Sequence, residues 1–255
     1  MAQLKNIEAF LNNYLELDKY QDYSVNGLQV EARKKEIKKI AAAVDASKKV
    51  IEESIALQAD LIIVHHGLFW KNSQLLIKGV LAEKIEELLK AGCSLYASHL
   101  PLDGHPVVGN AVQIINSLTG VESTKGFYAP LGVNIGACAV LKERTLLDEI
   151  TKQLKGITNC LNPLLWNFGS NQIKTVAVVT GSGTEALSEC KEEGIDLLVT
   201  GEPKHSAFYL CREIGINCLF LGHYLTEVFG VKALGEELAK RYNVETIFIN
   251  DPSGI

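Results

Sequence analysis

Two stretches of this chain, residues 37–66 and 173–202, align with each other without a gap. Each begins with an apolar strand-like run, continues with a helical pattern and ends in a second apolar run. The positions that are identical in both stretches are Ile37/Ile173, Lys38/Lys174, Ala41/Ala177, Glu53/Glu189, Asp60/Asp196 and Leu61/Leu197. Six identities alone are compatible with a chance match. Because the order strand, helix, strand also agrees, the pattern favours an internal duplication.

The apolar runs predict an α/β fold. Short continuous runs such as 60–64 and 196–200 are typical of strands that are buried on both faces. Helical segments separate these runs, and such alternation favours helices packed on a parallel sheet. We therefore expect two intertwined, duplicated α/β/α units, with the functional site between them at the C-terminal ends of the strands. Residues 1–125 with 226–255 are expected to form the first unit and residues 126–225 the second.

The secondary structure can be predicted segment by segment from hydrophobic periodicity and helix-capping residues. An amphipathic helix is expected at the N-terminus, and Ser47 is a candidate cap for a later helix. The predicted strands are 28–30, 40–44, 60–64, 95–97, 173–180, 196–200, 218–221 and 246–249. The other predicted helices are 48–57, 81–90, 184–193, 207–214 and 231–242. No periodic pattern is found at 156–172.

All six histidines fall at the end of a predicted strand or in the loop that follows it. In α/β proteins, ligands bind in the crevice beyond the C-terminal ends of the strands. His65 and His66 end one strand, and because adjacent strand residues point to opposite faces, they could each give one ligand to two neighbouring ions. His223 adds a third imidazole, and Asp103 and Glu227 are the candidates for a bridging carboxylate. This set predicts a dinuclear centre of Zn, Mn, Fe or Co rather than Ca.

Each part of this set also has a plain structural explanation. A His-His pair is most often a capping or packing pair, and His223 with Glu227 fits an ordinary contact between turns of a helix. The combination of these residues at strand ends is what favours a metal site.

Glu202, His99 and His105 are the candidates for moving protons. Glu202 occupies the repeat position of His66, where a carboxylate suits acid-base chemistry or oxyanion binding; a solvated turn explains it equally well. His99 and His105 would either orient a metal ligand or shuttle protons. Pro101, which lies between them, is expected to exclude a regular helix.

Other motifs narrow the class of chemistry. The turn Gly181-Ser182-Gly183 could hold an anion at a helix N-terminus or could simply be a tight turn between strand and helix. No Gly-x-Ser-x-Gly elbow is present, and no cysteine lies in a motif typical of reactive thiols. Catalysis by a nucleophilic side chain is therefore not expected.

Composition restricts the compartment and the partners. The six cysteines are scattered and form no Cys-x-x-Cys pair, which argues against a zinc knuckle or a thioredoxin-like site. Without a signal sequence, such cysteines indicate a reducing cytoplasm. A net charge of −5 argues against nucleic acid as the partner, and the apolar runs are too short to cross a membrane. A small-molecule substrate is the expected partner.

The chain as a whole resembles the Nif-three-like (YbgI-like) family, whose members are also described as dinuclear metal-centre hexameric proteins. The resemblance covers nearly the whole length. It is carried by an ordered set of motifs, which are Asn26-Gly27-Leu28-Gln29-Val30, Val64-His65-His66-Gly67 with Phe69-Trp70, His99-Leu100-Pro101-Leu102-Asp103 with Gly109-Asn110, Thr200-Gly201-Glu202, and Gly222-His223 with Thr226-Glu227.

The resemblance implies a role for each matched ligand. His66 and Asp103 would hold one ion, His65 and His223 would hold the other, and Glu227 would bridge the two. It also implies a toroidal homohexamer, and a short form of the family that lacks the inserted middle domain of longer relatives.

The same resemblance implies the activity of a GTP cyclohydrolase I type 2, in which metal-activated water opens the guanine ring of GTP. We therefore expect a dinuclear-metal-dependent hydrolase that acts on a nucleotide or a related small molecule. Two alternatives stay open at this point. One is a metal-containing, ring-shaped binding or regulatory protein without turnover, and the other is a scaffold ring with a vestigial site.

Overall fold

A computed structural model of the protein describes residues 2–71 and 76–255. The predicted α/β class is confirmed. The chain forms two compact units, of which the first comprises Met1–Leu102 and Gly230–Asp251 and the second Asp103–Phe229 and Pro252–Ile255. The duplicated units expected from the repeat, 1–125 with 226–255 and 126–225, stay a prediction.

The first unit is built on a five-stranded sheet. Its strands are β2 (Gly27–Val30), β4 (Lys39–Asp45), β5 (Leu61–His66), β6 (Ser94–Ala97) and β13 (Glu245–Phe248), and β1 (Ala2–Gln3) pairs separately with β3 (Glu36–Ile37). The order is β13-β4-β5-β6-β2, with β2 antiparallel to β6 and the other neighbours parallel. Almost every residue of β4 and β5 is buried, as strands covered on both faces require.

Among the described residues of this unit, three α-helices lie wholly within it. They are α1 (Leu4–Tyr14), α2 (Lys48–Ala56) and α3 (Val80–Ala91). The predicted cap of α2 is confirmed, because Ser47 Oγ accepts a hydrogen bond of 3.1 Å from the backbone N–H of Val50. This bond satisfies one of the donors that the first turn of a helix leaves without an intrahelical acceptor.

The second unit is built on a six-stranded sheet. Its strands are β7 (Val121–Phe127), β8 (Gly136–Leu146), β9 (Leu164–Trp166), β10 (Gln172–Val178), β11 (Leu197–Thr200) and β12 (Asn217–Phe220). The order is β7-β8-β10-β11-β12-β9, in which β10, β11 and β12 are parallel and the others are antiparallel. Val199 packs in one apolar cluster and its neighbour Leu198 in another. Apolar side chains therefore cover both faces of the sheet.

The helices of the second unit are α5 (Asn110–Asn116), α6 (Leu147–Thr158), α7 (Leu187–Glu192) and α8 (His205–Ile214). Two more helices, α4 (Leu100–Asp103) and α9 (His223–Tyr242), contain points at which the chain passes from one unit to the other. Across residues 2–71 and 76–255, no helix combines the length and the apolar character needed to cross a membrane.

The two aligned stretches fold alike. Each supplies two parallel strands joined by a helix, β4-α2-β5 in the first unit and β10-α7-β11 in the second. The shared aspartate acts in the same way in both. Asp60 Oδ2 accepts from the backbone N–H groups of Lys38 and Lys39, where β4 begins, at 2.7 and 3.0 Å. Asp196 Oδ2 accepts from two successive backbone N–H groups of β10 at 2.7 and 3.0 Å. The repeat therefore has a physical counterpart in a shared way of tying two strands together.

Three expectations about secondary structure are wrong. The last long helix begins at His223 rather than at 231. The expected exclusion of a helix by Pro101 fails because α4 is only one turn long, and the first turn of a helix tolerates proline. The stretch 156–172, where no pattern was found, contains the end of α6 and the edge strand β9.

Candidate metal centre

Three imidazoles lie together in the first unit. His65 and His66 are the last residues of β5, and His99 follows β6 by two residues. The ring centroid of His65 is 4.6 Å from that of His66 and 5.0 Å from that of His99, and the rings of His66 and His99 are 5.6 Å apart. One nitrogen from each ring lies within 4.8 Å of one from the other two. The ends of two parallel neighbours thus form a compact set of nitrogen donors.

An oxygen atom lies within hydrogen-bonding distance of Nδ1 in each ring. His65 Nδ1 is 3.0 Å from the carbonyl oxygen of Ser98, His66 Nδ1 is 2.9 Å from Asp45 Oδ1, and His99 Nδ1 is 2.8 Å from Asp22 Oδ1. These acceptors favour the tautomer in which Nδ1 carries the hydrogen and Nε2 carries the lone pair. Such an arrangement is typical of imidazoles that bind a metal ion through Nε2. The three residues therefore fit a metal-binding role.

Asp22 anchors the loop behind His99. Its carboxylate accepts from Asn26 Nδ2 at 2.9 Å and from the backbone N–H of Ser24 at 3.0 Å and Leu100 at 2.9 Å. Burial by itself would raise the pKa of Asp22, but the hydrogen bonds from His99, Asn26 and Ser24 hold that pKa well below its usual range. An ionised carboxylate at this place keeps the His99 ring in one orientation.

Trp70 lies beside the histidines. Its ring centroid is 5.9 Å from that of His66 and 5.3 Å from that of His99. The backbone at Trp70 forms a β-bridge with Ser24, which fixes this segment next to the loop that carries Asp22. The indole thus forms one side of the histidine group.

In the second unit, His223 lies between two carboxylates. Its Nε2 is 3.2 Å from Glu227 Oε1, one turn further along α9, and its Nδ1 is 3.3 Å from Glu202 Oε2. The hydrogen bond to Glu227 is the main cause that raises the pKa of His223 to about 9; burial opposes it, and the charges of Glu227 and Glu202 add to it. Two carboxylates beside one imidazole stabilise a positive charge at this place. A proton on the ring supplies that charge, and a divalent cation can replace the proton.

A glycine makes room for this pair. Gly181 has a φ of +60°, and a Cβ built there would lie 2.3 Å from Glu227 Oε1 and 3.1 Å from His223 Nε2. Residues 181–183 form a tight turn in which two backbone N–H groups already donate hydrogen bonds. The N–H of Gly181 donates to Thr226 Oγ1 at 3.1 Å, and the N–H of Gly183 donates to Thr200 Oγ1 at 2.9 Å. These bonds favour the simpler of the two explanations considered for this motif.

The two remaining candidates are buried in the second unit. Asp103 is 8% exposed, and its Oδ1 accepts from Asn110 Nδ2 at 2.8 Å and from Thr180 Oγ1 at 3.0 Å. His105 Nδ1 accepts from the backbone N–H groups two and three residues further on, at 3.2 and 3.1 Å. The ring of His105 therefore closes a turn, with Nε2 as the nitrogen that carries hydrogen in the neutral form.

The structure thus groups the candidates within each unit. His65, His66 and His99 form one set, and His223, Glu227 and Glu202 form the other. Asp22 and Asp45, which orient two of the imidazoles, were not predicted. They lie 77 and 21 residues from their histidines in sequence, so no local pattern indicates the pairing. The one signal in the sequence is that Asp45 follows directly on the predicted strand 40–44, next in the chain before β5.

Comparison with known proteins gives a consistent picture. The sequence profile of the family described as Duf34/NIF3 (NGG1p interacting factor 3) matches residues 2–253. A protein of Archaeoglobus fulgidus named GTP cyclohydrolase 1 type 2 homolog is 41% identical over 252 residues, which cover 99% of each chain.

Solved structures agree with this result. TTHA1606 from Thermus thermophilus has a TM-score of 0.90 at 38% identity, covering 99% of this chain and 100% of that one. The protein ybgI, described as of unknown function, has a TM-score of 0.90 at 31% identity with the same coverage. The chain belongs to the Duf34/NIF3 family.

Proposed function

We propose that this Duf34/NIF3 protein is a dinuclear-metal-dependent hydrolase that acts on a nucleotide such as GTP, or on a related small molecule. The observation that carries the proposal is the group of three imidazoles whose Nδ1 atoms are each held by an oxygen acceptor. The name of the relatives, GTP cyclohydrolase 1 type 2 homolog, supports the choice of substrate. Following the family resemblance, the proposed metal ligands are His65, His66, Asp103, His223 and Glu227.

The donor set suits ions of the Zn, Mn, Fe or Co class, because it combines imidazole with carboxylate. When bound, such ions lower the pKa of water towards neutrality and polarise the bond under attack. The protein's own part is to hold the imidazoles in place. Asp45 and Asp22 do this from behind His66 and His99, so that little reorganisation is needed when the substrate arrives.

Glu202, His99 and His105 are the residues we propose for proton transfer. Glu202 is the best placed of the three, because its side chain is 35% exposed and its Oε2 lies 3.3 Å from His223 Nδ1. Its carboxylate can take a proton from an attacking water and return it to a leaving nitrogen. His99 would act through Nε2, since its Nδ1 contacts the ionised Asp22 carboxylate. His105 would act through Nε2, since its Nδ1 accepts two backbone hydrogen bonds.

We further propose a toroidal homohexamer, with a small molecule as the partner and with neither nucleic acid nor a membrane involved. The oligomer is checked by light scattering on a sizing column. A cytoplasmic location is part of the same proposal. All six cysteines are buried and none forms a disulfide, which supports a reducing compartment.

Metal content and turnover test the main proposal together. The protein is loaded with each of the four metals, desalted and analysed for bound metal, and then incubated with GTP while products are separated by chromatography. We expect two ions per chain and a new product. Both should be lost in Asp103→Ala/Glu227→Ala and kept in Glu192→Ala/Glu213→Ala, which removes two exposed carboxylates of the same unit.

If the alanine variant unfolds, Asp103→Asn/Glu227→Gln serves in its place, because it preserves side-chain size. Full turnover by a metal-free variant would overturn the mechanism. Metal and GTP bound without any product would instead favour the non-enzymatic alternative, a metal-containing binding or regulatory protein.

A further inference from the structure

A cavity of about 620 Å³ lies within the second unit. It is bounded by the loop 159–162, the edge strand β9, the turn after β11, the start of α9 and residues 252–255. Sites for small molecules commonly have volumes of about 300 to 1,000 Å³. Leu161 and Leu164 at its rim are 80% and 45% exposed, so apolar surface is available for a ligand to cover.

The lining gives the cavity a definite chemical character. Phe220, Tyr224 and several aliphatic side chains supply apolar surface, and Asn159 and Asn162 supply amide groups. Among the lining residues that the structure describes, Glu202 is the one acidic side chain and none is basic. An apolar wall with one acidic and no basic side chain disfavours phosphate and suits an uncharged, planar ring that offers N–H donors.

The cavity also adjoins one of the proposed metal ligands. Gly222 and Tyr224, the residues on either side of His223, both line it. Glu202 lines it as well, while its Oε2 contacts His223 Nδ1 at 3.3 Å. A ring bound in the cavity would therefore lie against the Glu202 carboxylate, which would then bind the ring and leave proton transfer to His99 or His105.

We propose that this cavity binds the heterocycle of the substrate, through the 2-amino-4-oxopyrimidine edge that guanine and pterins share. This inference rests on the proposed function and names the part of the substrate that the protein recognises. The ring N–H and the exocyclic amino group of that edge match the two oxygens of the Glu202 carboxylate. Because no basic side chain is found among the described residues of the lining, the phosphates of a nucleotide would lie outside the cavity.

Binding to the metal-free protein tests this without any turnover. In the presence of EDTA, guanosine, pterin, inosine, adenosine and inorganic triphosphate are compared by saturation-transfer NMR and calorimetry. We expect guanosine and pterin to bind and to compete with each other. Inosine, which lacks the amino group, should bind more weakly, and adenosine and triphosphate should not compete. Charged hydrogen bonds of this kind are worth about a factor of ten or more in affinity.

Two variants locate the binding. Glu202→Gln should weaken guanosine binding about tenfold while leaving adenosine unchanged. Asn162→Trp, at an exposed lining position, should fill the cavity and abolish binding. Leu131→Trp is the matched control, because it places the same bulky group at an exposed position of the second unit outside the cavity.

Guanosine binding that neither variant changes, equal affinity for adenosine and guanosine, or no nucleoside binding at all would each overturn the inference. The proposed function fails separately. Selective guanosine binding in a protein that retains no metal would support the cavity and contradict the hydrolase. Metal-dependent GTP turnover that Asn162→Trp leaves intact would support the hydrolase and contradict the cavity.

Discussion

Nδ1 of His66 lies 2.9 Å from Oδ1 of Asp45, at the carboxyl ends of two neighbouring parallel strands. The two residues are register partners of β4 and β5, so the sheet itself sets their separation. A carboxylate behind an imidazole fixes the ring and makes its far nitrogen a better donor. Asp45 therefore orients the proposed metal ligand His66 and is not itself one of the proposed ligands.

Replacing Asp45 with alanine is expected to weaken metal binding by about 10- to 100-fold, the usual effect of removing such an outer partner. Competition with a chromophoric chelator measures the affinity. Glu53→Ala removes an equal charge from the exposed surface of α2 in the same unit and should change nothing. Equal affinities for the Asp45→Ala and Glu53→Ala variants would show that His66 does not depend on this contact.

Gly181→Ala is expected to disturb the second group of residues. Its new Cβ would lie 2.3 Å from Glu227 Oε1, and the φ of +60° is itself unfavourable for alanine. We expect a loss of about 2 kcal/mol in the free energy of unfolding from conformational strain and crowding together, and a loss of bound metal.

Urea unfolding and metal analysis measure the two effects of Gly181→Ala. Gly156→Ala provides the control, because Gly156 lies inside α6 with no atom within 4 Å of the added Cβ. That substitution should stabilise the protein by about 0.5 to 1 kcal/mol. A Gly181→Ala variant that unfolds like the wild type and retains its metal would contradict the account of this turn.

The parts of the fold with strong apolar patterns were predictable from the sequence. The parallel strands β4, β5, β10 and β11 are buried at most positions, and continuous apolar runs record that burial. Strand β7 is different, because five of its seven residues are exposed. Its pairing with β8 depends on backbone hydrogen bonds that no side-chain pattern reveals, and neither strand was predicted.

The residues of the candidate site were likewise predictable from the sequence only in part. His65, His66 and His99 were recognisable because they follow apolar strands, and they do lie together. The roles suggested for His99 did not include membership of that group. Asp22 is separated from His99 by 77 residues and lies in a loop, so only the tertiary structure reveals its role. The start of α9 at His223 was missed. Val228 and Val231 are buried three residues apart, and this spacing indicates a helix only when the first two turns are examined together.

The raised pKa of His223 predicts how stability depends on pH in the metal-free protein. The folded pKa is about 9, whereas the pKa of an unfolded histidine is about 6.5. The stabilising contribution of the protonated ring is therefore fully present below about pH 6.5 and is lost as the pH rises through about 9. The free energy of unfolding of the wild type relative to His223→Gln should fall over that window.

Chemical denaturation in EDTA across that pH window measures this difference, and an NMR titration of the imidazole reports the pKa directly. Glu202→Gln should lower the pKa of His223, since it removes one of the two neighbouring charges. Metal affinity of the wild type should rise over the same window, because the ion displaces the proton. A pKa of His223 near that of free histidine would contradict the described geometry.

Asp60 and Asp196 occupy equivalent positions of the repeat, and they test whether the two halves of the chain are stabilised by the same contact. Asp60 and Asp196 each accept two successive backbone N–H groups through Oδ2. Truncation to alanine removes the acceptor from donors that are partly buried, so each variant should lose about 2 to 3 kcal/mol of unfolding free energy. Asn variants keep one oxygen acceptor and should lose less than the Ala variants.

Urea denaturation of all four variants measures these losses. At both sites the Ala variant should be less stable than the Asn variant, because the two halves use the same contact. Asp60 is also paired with Lys34, and Asp196 also accepts from Thr175 Oγ1 at 3.1 Å, so each alanine variant loses one further contact. A substantial loss at one site and none at the other would mean that the repeated contact carries weight in only one half of the chain.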